Sequence, residues 1–114
     1  MLYNLTLIES MSKHDASFSK TLIGLFIDSI PKDVDSLNKA FTEKDWKQVA
    51  FVSHKLKSTI MTLCVDSLYE TIAVLEKEDV KDNFPDSTIN SHIEQITTVM
   101  NEVVIQLKSS LQAA

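Results

Sequence analysis

Gly24 is the only glycine of this chain, and Pro31 and Pro85 are its only prolines. Beta and mixed folds draw heavily on glycine for their turns, so a sandwich, barrel or sheet of 114 residues lacks its turn formers here. The same scarcity excludes any glycine-rich phosphate loop. Helical periodicity fills the space between the few breakers. Ile89, Ile93, Ile96, Met100, Val103 and Leu107 recur three or four residues apart, and so do Phe18, Leu22, Leu25, Phe26, Ile30, Val34, Leu37 and Phe41. The chain reads as all-α.

The segments follow from these stripes and their caps. Residues 1–12 predict a short helix, with Thr6 and Glu9 at capping-box spacing and Leu5, Ile8 and Met11 as its buried edge. From 16 to 44 the stripe keeps phase across Pro31, which predicts one kinked helix rather than two. Gly24 costs that helix about 1 kcal/mol against alanine, so its presence predicts a close helix contact. Thr42–Asp45 is a turn. Asp45 is placed to cap a helix over 46–63, and Asp66 to cap another of about twelve residues with Leu68, Ile72 and Leu75 inward. Residues 78–86 read as a polar loop before the last, long helix. The expected architecture is a single domain over 1–114, an antiparallel up-down four-helix bundle with a short additional N-terminal helix.

Charge and cysteine usage narrow the function. A net charge of -5 without a basic cluster argues against nucleic acid. No apolar run reaches the ~18 residues of a membrane span, and no leader pattern is present, so the expected location is cytoplasmic. Cys64 is the lone cysteine and has no partner for an intramolecular disulfide. His14, His54 and His92 fall on three different segments without metal-ligand spacing, and no metal site is expected. His14 reads as a loop residue and His92 as exposed filler. No G-x-S-x-G and no Cys/His pairing suggests a hydrolase.

His54 stands apart. At about 100° per residue, Val49, Val52, Leu56, Ile60 and Leu63 fall on one stripe of its helix. Lys47, Ala50, His54, Ser58 and Met61 fall opposite, flanked by Phe51 and Lys57. The chain therefore presents an imidazole on the solvent face of an anchored helix, and an imidazole with an ordinary pKa of about 6.5 is a nucleophile near neutrality. Lys57, one turn on, offers a point charge to a phosphoryl oxygen. Ser58 keeps the next turn low enough for a partner to approach, with its hydroxyl expected to bond back to the His54 carbonyl.

The run Ser53-His54-Lys55-Leu56-Lys57-Ser58, followed by Leu63-Cys64-Val65, Leu68 and Leu75-Glu76, resembles the signature of the histidine-containing phosphotransfer (HPt) domain. Upstream, Tyr3-Asn4-Leu5, Asp15, Phe18, the Leu25-to-Pro31 segment, Leu37, Ala40, Asp45 and Trp46 continue the likeness over about three quarters of the chain. Two family glycines are replaced, one by Ser58 and one by Cys64. Cysteine does not favour the left-handed conformation, so a different helix end is expected there.

The resemblance implies the four-helix bundle and a phosphorelay role. In that role His54 accepts a phosphoryl group through Nε2 from a receiver-domain aspartate and passes it to the aspartate of another response regulator. It implies no cofactor on this chain, Mg²⁺ on the receiver, and a phosphocarrier without a nucleotide site rather than an enzyme. Response-regulator receiver domains and a sensor or hybrid histidine kinase are the expected partners of a monomer. Lys57 is assigned to phosphoryl stabilisation, and Ala50, Phe51, Ser58 and Met61 to partner docking. Two alternatives remain: a helical adaptor that binds receivers without chemistry, and the phosphoacceptor domain of a chemotaxis-type kinase.

Overall fold

A computed structural model of the chain describes residues 2–13 and 15–113, so the expectation for His14 lies outside the described residues. The helices are α1 (Thr6–Met11), α2 (Ala16–Thr42), α3 (Trp46–Thr62), α4 (Tyr69–Leu75), α5 (Val80–Asn83) and α6 (Asp86–Ala113), with a 3₁₀ turn at Asp66–Leu68 leading into α4. No strand occurs among the described residues. α2 packs on α3 and α6, and α4 closes the ring by packing on both α3 and α6. Cross-links at Lys55–Asp33, Asn38–Thr97 and Thr71–Gln95 tie neighbouring helices together. The result is the expected four-helix bundle with a short N-terminal helix, 45 × 21 × 21 Å.

The apolar stripes explain the packing. Ile89, Ile93, Ile96, Met100, Val103 and Leu107 of α6 are all fully buried. Ile30, Val34 and Leu37 of α2 meet them, together with Leu56 and Ile60 of α3 and Leu68, Ile72 and Leu75 from the α4 segment. α2 is continuous across Pro31, as its unbroken phase predicts.

The first turns of α2 depart from the predicted stripe. Phe18 and Leu25 are 51% and 59% exposed, and Ile23 is buried in their place. α3 ends at Thr62, and the chain before α1 meets that end through the Asn4 N–H to the Leu63 carbonyl (2.8 Å). The start of α2 therefore has no full-length neighbour to cover that side. Met11 is also exposed, and the capping box of α1 does not form: Asn4 Oδ1, not Thr6, accepts from the first turn at the Thr6 N–H (2.8 Å). The expected loop at 78–86 contains α5, because Val80 is buried and draws one turn of helix onto the bundle.

Helix ends are made without glycine. Lys13, Lys44 and Cys64 have φ of 52°, 57° and 54°. At the end of α2 the Lys44 and Asp45 N–H groups bond the Phe41 and Ala40 carbonyls, and at the end of α3 those of Cys64 and Val65 bond Met61 and Ile60. Both are Schellman ends. The expectation of a different ending at Cys64 is thus overturned, because capping the last carbonyls and burying Val65 and Ile60 together offset the strain of a left-handed cysteine.

Gly24 also answers differently from the sequence. A Cβ placed there meets nothing within 4 Å, so no close helix contact explains it. Gly24→Ala is expected to stabilise the domain by about 1 kcal/mol, since it gains helix propensity and lowers the entropy of the unfolded chain. The melting temperature should rise by about 3–6 °C; an unchanged or lower value would mean that the backbone there needs glycine.

Candidate functional site

α3 is fixed at both ends, and this fixes the direction of His54. Asp45 Oδ1 accepts from the Gln48 N–H (3.1 Å) at the start, where the sequence places it, and the helix ends at Thr62, one residue before the expected boundary at 63. Val49, Val52, Leu56 and Ile60 are buried and hold the helix in rotation. The His54 side chain projects outward, 80% exposed.

Sequence spacing gave no role to Glu76, which completes the site. It caps the C-terminal end of α4, with its side chain mostly covered. One carboxylate oxygen, Oε2, lies 3.2 Å from His54 Nδ1, and the other, Oε1, lies 2.8 Å from Lys57 Nζ. The Lys57 hydrogen bond holds the Glu76 carboxyl below its usual range; burial opposes this and the His54 contact adds to it. An ionised carboxylate only accepts hydrogen bonds, so the Nδ1 facing it carries the proton. A neutral ring then keeps its lone pair on Nε2. The one signal in the sequence was the Leu75-Glu76 pair of the likeness; its contact with a residue 22 positions earlier is made by packing alone.

This linkage has a sign. The Glu76 carboxyl is lowered from an ordinary value of 4.5, so its contribution to stability is complete above that value and is lost as pH falls through the folded-state pKa. Glu76→Gln is therefore expected to flatten the acid limb of the stability profile below about pH 4.5. Parallel urea melts of the variant and wild type from neutral pH downward would show this; equal slopes would mean that the pair is screened away.

Residues 21–113 match the Hpt domain family. The chain belongs to that family. No curated protein and no solved structure matches it. The Hpt match takes in the whole bundle from the second turn of α2 and leaves α1 outside. An Hpt domain acts in histidine phosphotransfer within two-component systems, as a phosphocarrier rather than a classical enzyme, with receivers and kinases as its partners. No helix among the described residues is long and apolar enough to cross a membrane.

Around His54, Phe51, Ser58 and Met61 of the Hpt domain are exposed, as the helix phase predicts. Phe51 and Met61 are 66% and 46% exposed, and Ser58 is exposed one turn after the histidine. Ala50 is corrected: it is 5% exposed and cannot serve as a docking residue. It shares a flank of α3 with Lys57, seven residues on, which is the side where α4 packs. The expected bond from the Ser58 hydroxyl to the His54 carbonyl gives way to one from Thr62 Oγ1 to the Ser58 carbonyl (2.8 Å). His92 packs beside Phe84, with ring centroids 6.2 Å apart.

Proposed function

We propose that this domain is a phosphorelay intermediate in which His54 takes a phosphoryl group from a receiver-domain aspartate and passes it to the aspartate of another response regulator. The observation that carries the reading is the split use of Glu76, one oxygen on His54 Nδ1 and the other on Lys57 Nζ. In the forward step the Nε2 lone pair forms the N–P bond. The P–O bond to the aspartyl carboxylate breaks, and that carboxylate leaves with the electron pair. The Nδ1 proton stays against Glu76 throughout, so the ring that leaves in the return step is neutral imidazole. Lys57 supplies positive charge beside the transferring phosphoryl oxygens, which suits a reaction governed by position and electrostatics. Mg²⁺ is assigned to the receiver, and nothing in this scheme calls for a nucleotide on this chain. Phe51, Ser58 and Met61 form the docking surface.

The test is incubation with an aspartate-phosphorylated receiver domain. The domain should acquire label that is acid-labile and alkali-stable, the signature of a phosphoramidate. Failure to acquire it, with binding retained, would favour the adaptor reading.

A further inference from the structure

The histidine helix is the basic part of an acidic protein. α3 carries Lys47, Lys55 and Lys57, three of the eleven basic residues, and none of the sixteen side-chain carboxylates. Each lysine beside His54 is tied to a carboxylate on a neighbouring helix. Lys57 is tied to Glu76 at the end of α4, and Lys55 to Asp33 Oδ1 of α2 at 3.1 Å. The two pairs lie on opposite flanks of the histidine, because residues 55 and 57 point about 160° apart around the helix.

Asp33 is the unexpected member. It is 7% exposed, in the middle of a helix whose neighbours Ile30, Val34 and Leu37 are core. Burying a carboxylate is costly even when it is paired, and here the partner, Lys55, is itself mostly exposed. Packing therefore gives no reason for a carboxylate at this position. Its effect is on Lys55, whose long side chain is held at one place on the surface while remaining 63% exposed. An ammonium has three donors, and the ion pair with Asp33 Oδ1 leaves donors open toward a partner.

We propose that Lys55, held in place by Asp33, is a second fixed charge of the docking surface, and that it selects receiver domains with an acidic group on the rim of the phosphoaspartate cleft that comes to lie over α2 of this domain. The inference rests on the phosphorelay reading and extends it. Lys57 meets the transferring group, whereas Lys55 meets the partner's rim and governs encounter. Rim charges act chiefly on association rate, and their action is screened by salt.

Lys55→Gln alone would strand a buried carboxylate and lower stability, so the decisive protein is the paired variant Asp33→Asn/Lys55→Gln, checked by its melting curve. The probe is an aspartate-phosphorylated receiver domain that carries carboxylates on the rim of its phosphoaspartate cleft. At about 20 mM salt the pair variant should bind it roughly three- to tenfold more weakly than wild type, and by about 500 mM salt the difference should vanish. The transfer rate at saturating receiver should not change. If Lys55 serves only to neutralise Asp33, the pair variant will bind like wild type at low salt, and the inference is overturned while the relay reading stands. A wild-type domain that takes no phosphoryl group from any receiver overturns both.

Discussion

Replacing His54 with glutamine is expected to reduce phosphoryl acceptance by at least about three orders of magnitude, because the only nucleophile the site presents is gone. The fold should be indifferent to the change. The side chain is 80% exposed and makes one long hydrogen bond, to Glu76, and surface substitutions of this kind stay within about 0.5 kcal/mol. Loss of label with an unchanged melting curve would identify the acceptor. Label persisting in the variant, on His14 or His92, would move the chemistry elsewhere. Glu76→Ala in the same assay separates nucleophile from holder. The lone pair on Nε2 remains, but neither the tautomer nor the Lys57 ammonium is fixed, and transfer should slow by about 10- to 100-fold while the label still appears.

Ser58→Leu is expected to block transfer by about 100-fold or more without unfolding the bundle, because a misplacement of about an ångström already has a cost of that order in a positional reaction. Ser58 is exposed one turn beyond His54, on the surface that the proposed relay has a receiver cross to bring its aspartate to Nε2. A leucine there stands above the helix and holds the partner off. As the better helix former, it should leave the melting temperature unchanged or higher. Ser58→Glu should block as well, adding repulsion toward the phosphoryl group. Ser58→Gly should transfer like wild type and melt lower, since glycine lacks the helix propensity of serine. A Ser58→Leu domain that transfers normally would show that partners do not cross this turn, and the docking surface would have to be redrawn.

What the sequence disclosed and what it withheld divide along physical lines. The α3 boundaries, the Asp45 cap and the six core positions of α6 are local or periodic facts, and they were legible. Phe18 and Leu25 were misjudged because a stripe records which face of a helix is apolar, and says nothing of how far the neighbouring helices reach. Ala50 was misjudged for the converse reason: a small residue on the solvent side of a wheel disappears once an adjacent helix leans over it. Cys64 adopts a conformation its side chain disfavours because the hydrogen bonds at the helix end decide the matter. At the site, His54 and Lys57 were readable from spacing on one helix. Glu76 and Asp33 reach them from α4 and α2, through contacts that no spacing along the chain encodes.

The station of Glu76 on α4 sets a limit of another kind. α4 has seven residues, against 27 in α2 and 28 in α6, and it enters through a 3₁₀ turn whose 3₁₀ geometry is capped by no side chain. Proteins open in pieces before they open as a whole, and Ile72 and Leu75, both fully buried, are what hold this short helix closed. Were α4 to open ahead of α2, α3 and α6, His54 would lose its proton acceptor and Lys57 its anchor together. Such an opening would slow transfer as Glu76→Ala does, and amide exchange at Ile72 and Leu75 would report how often it occurs.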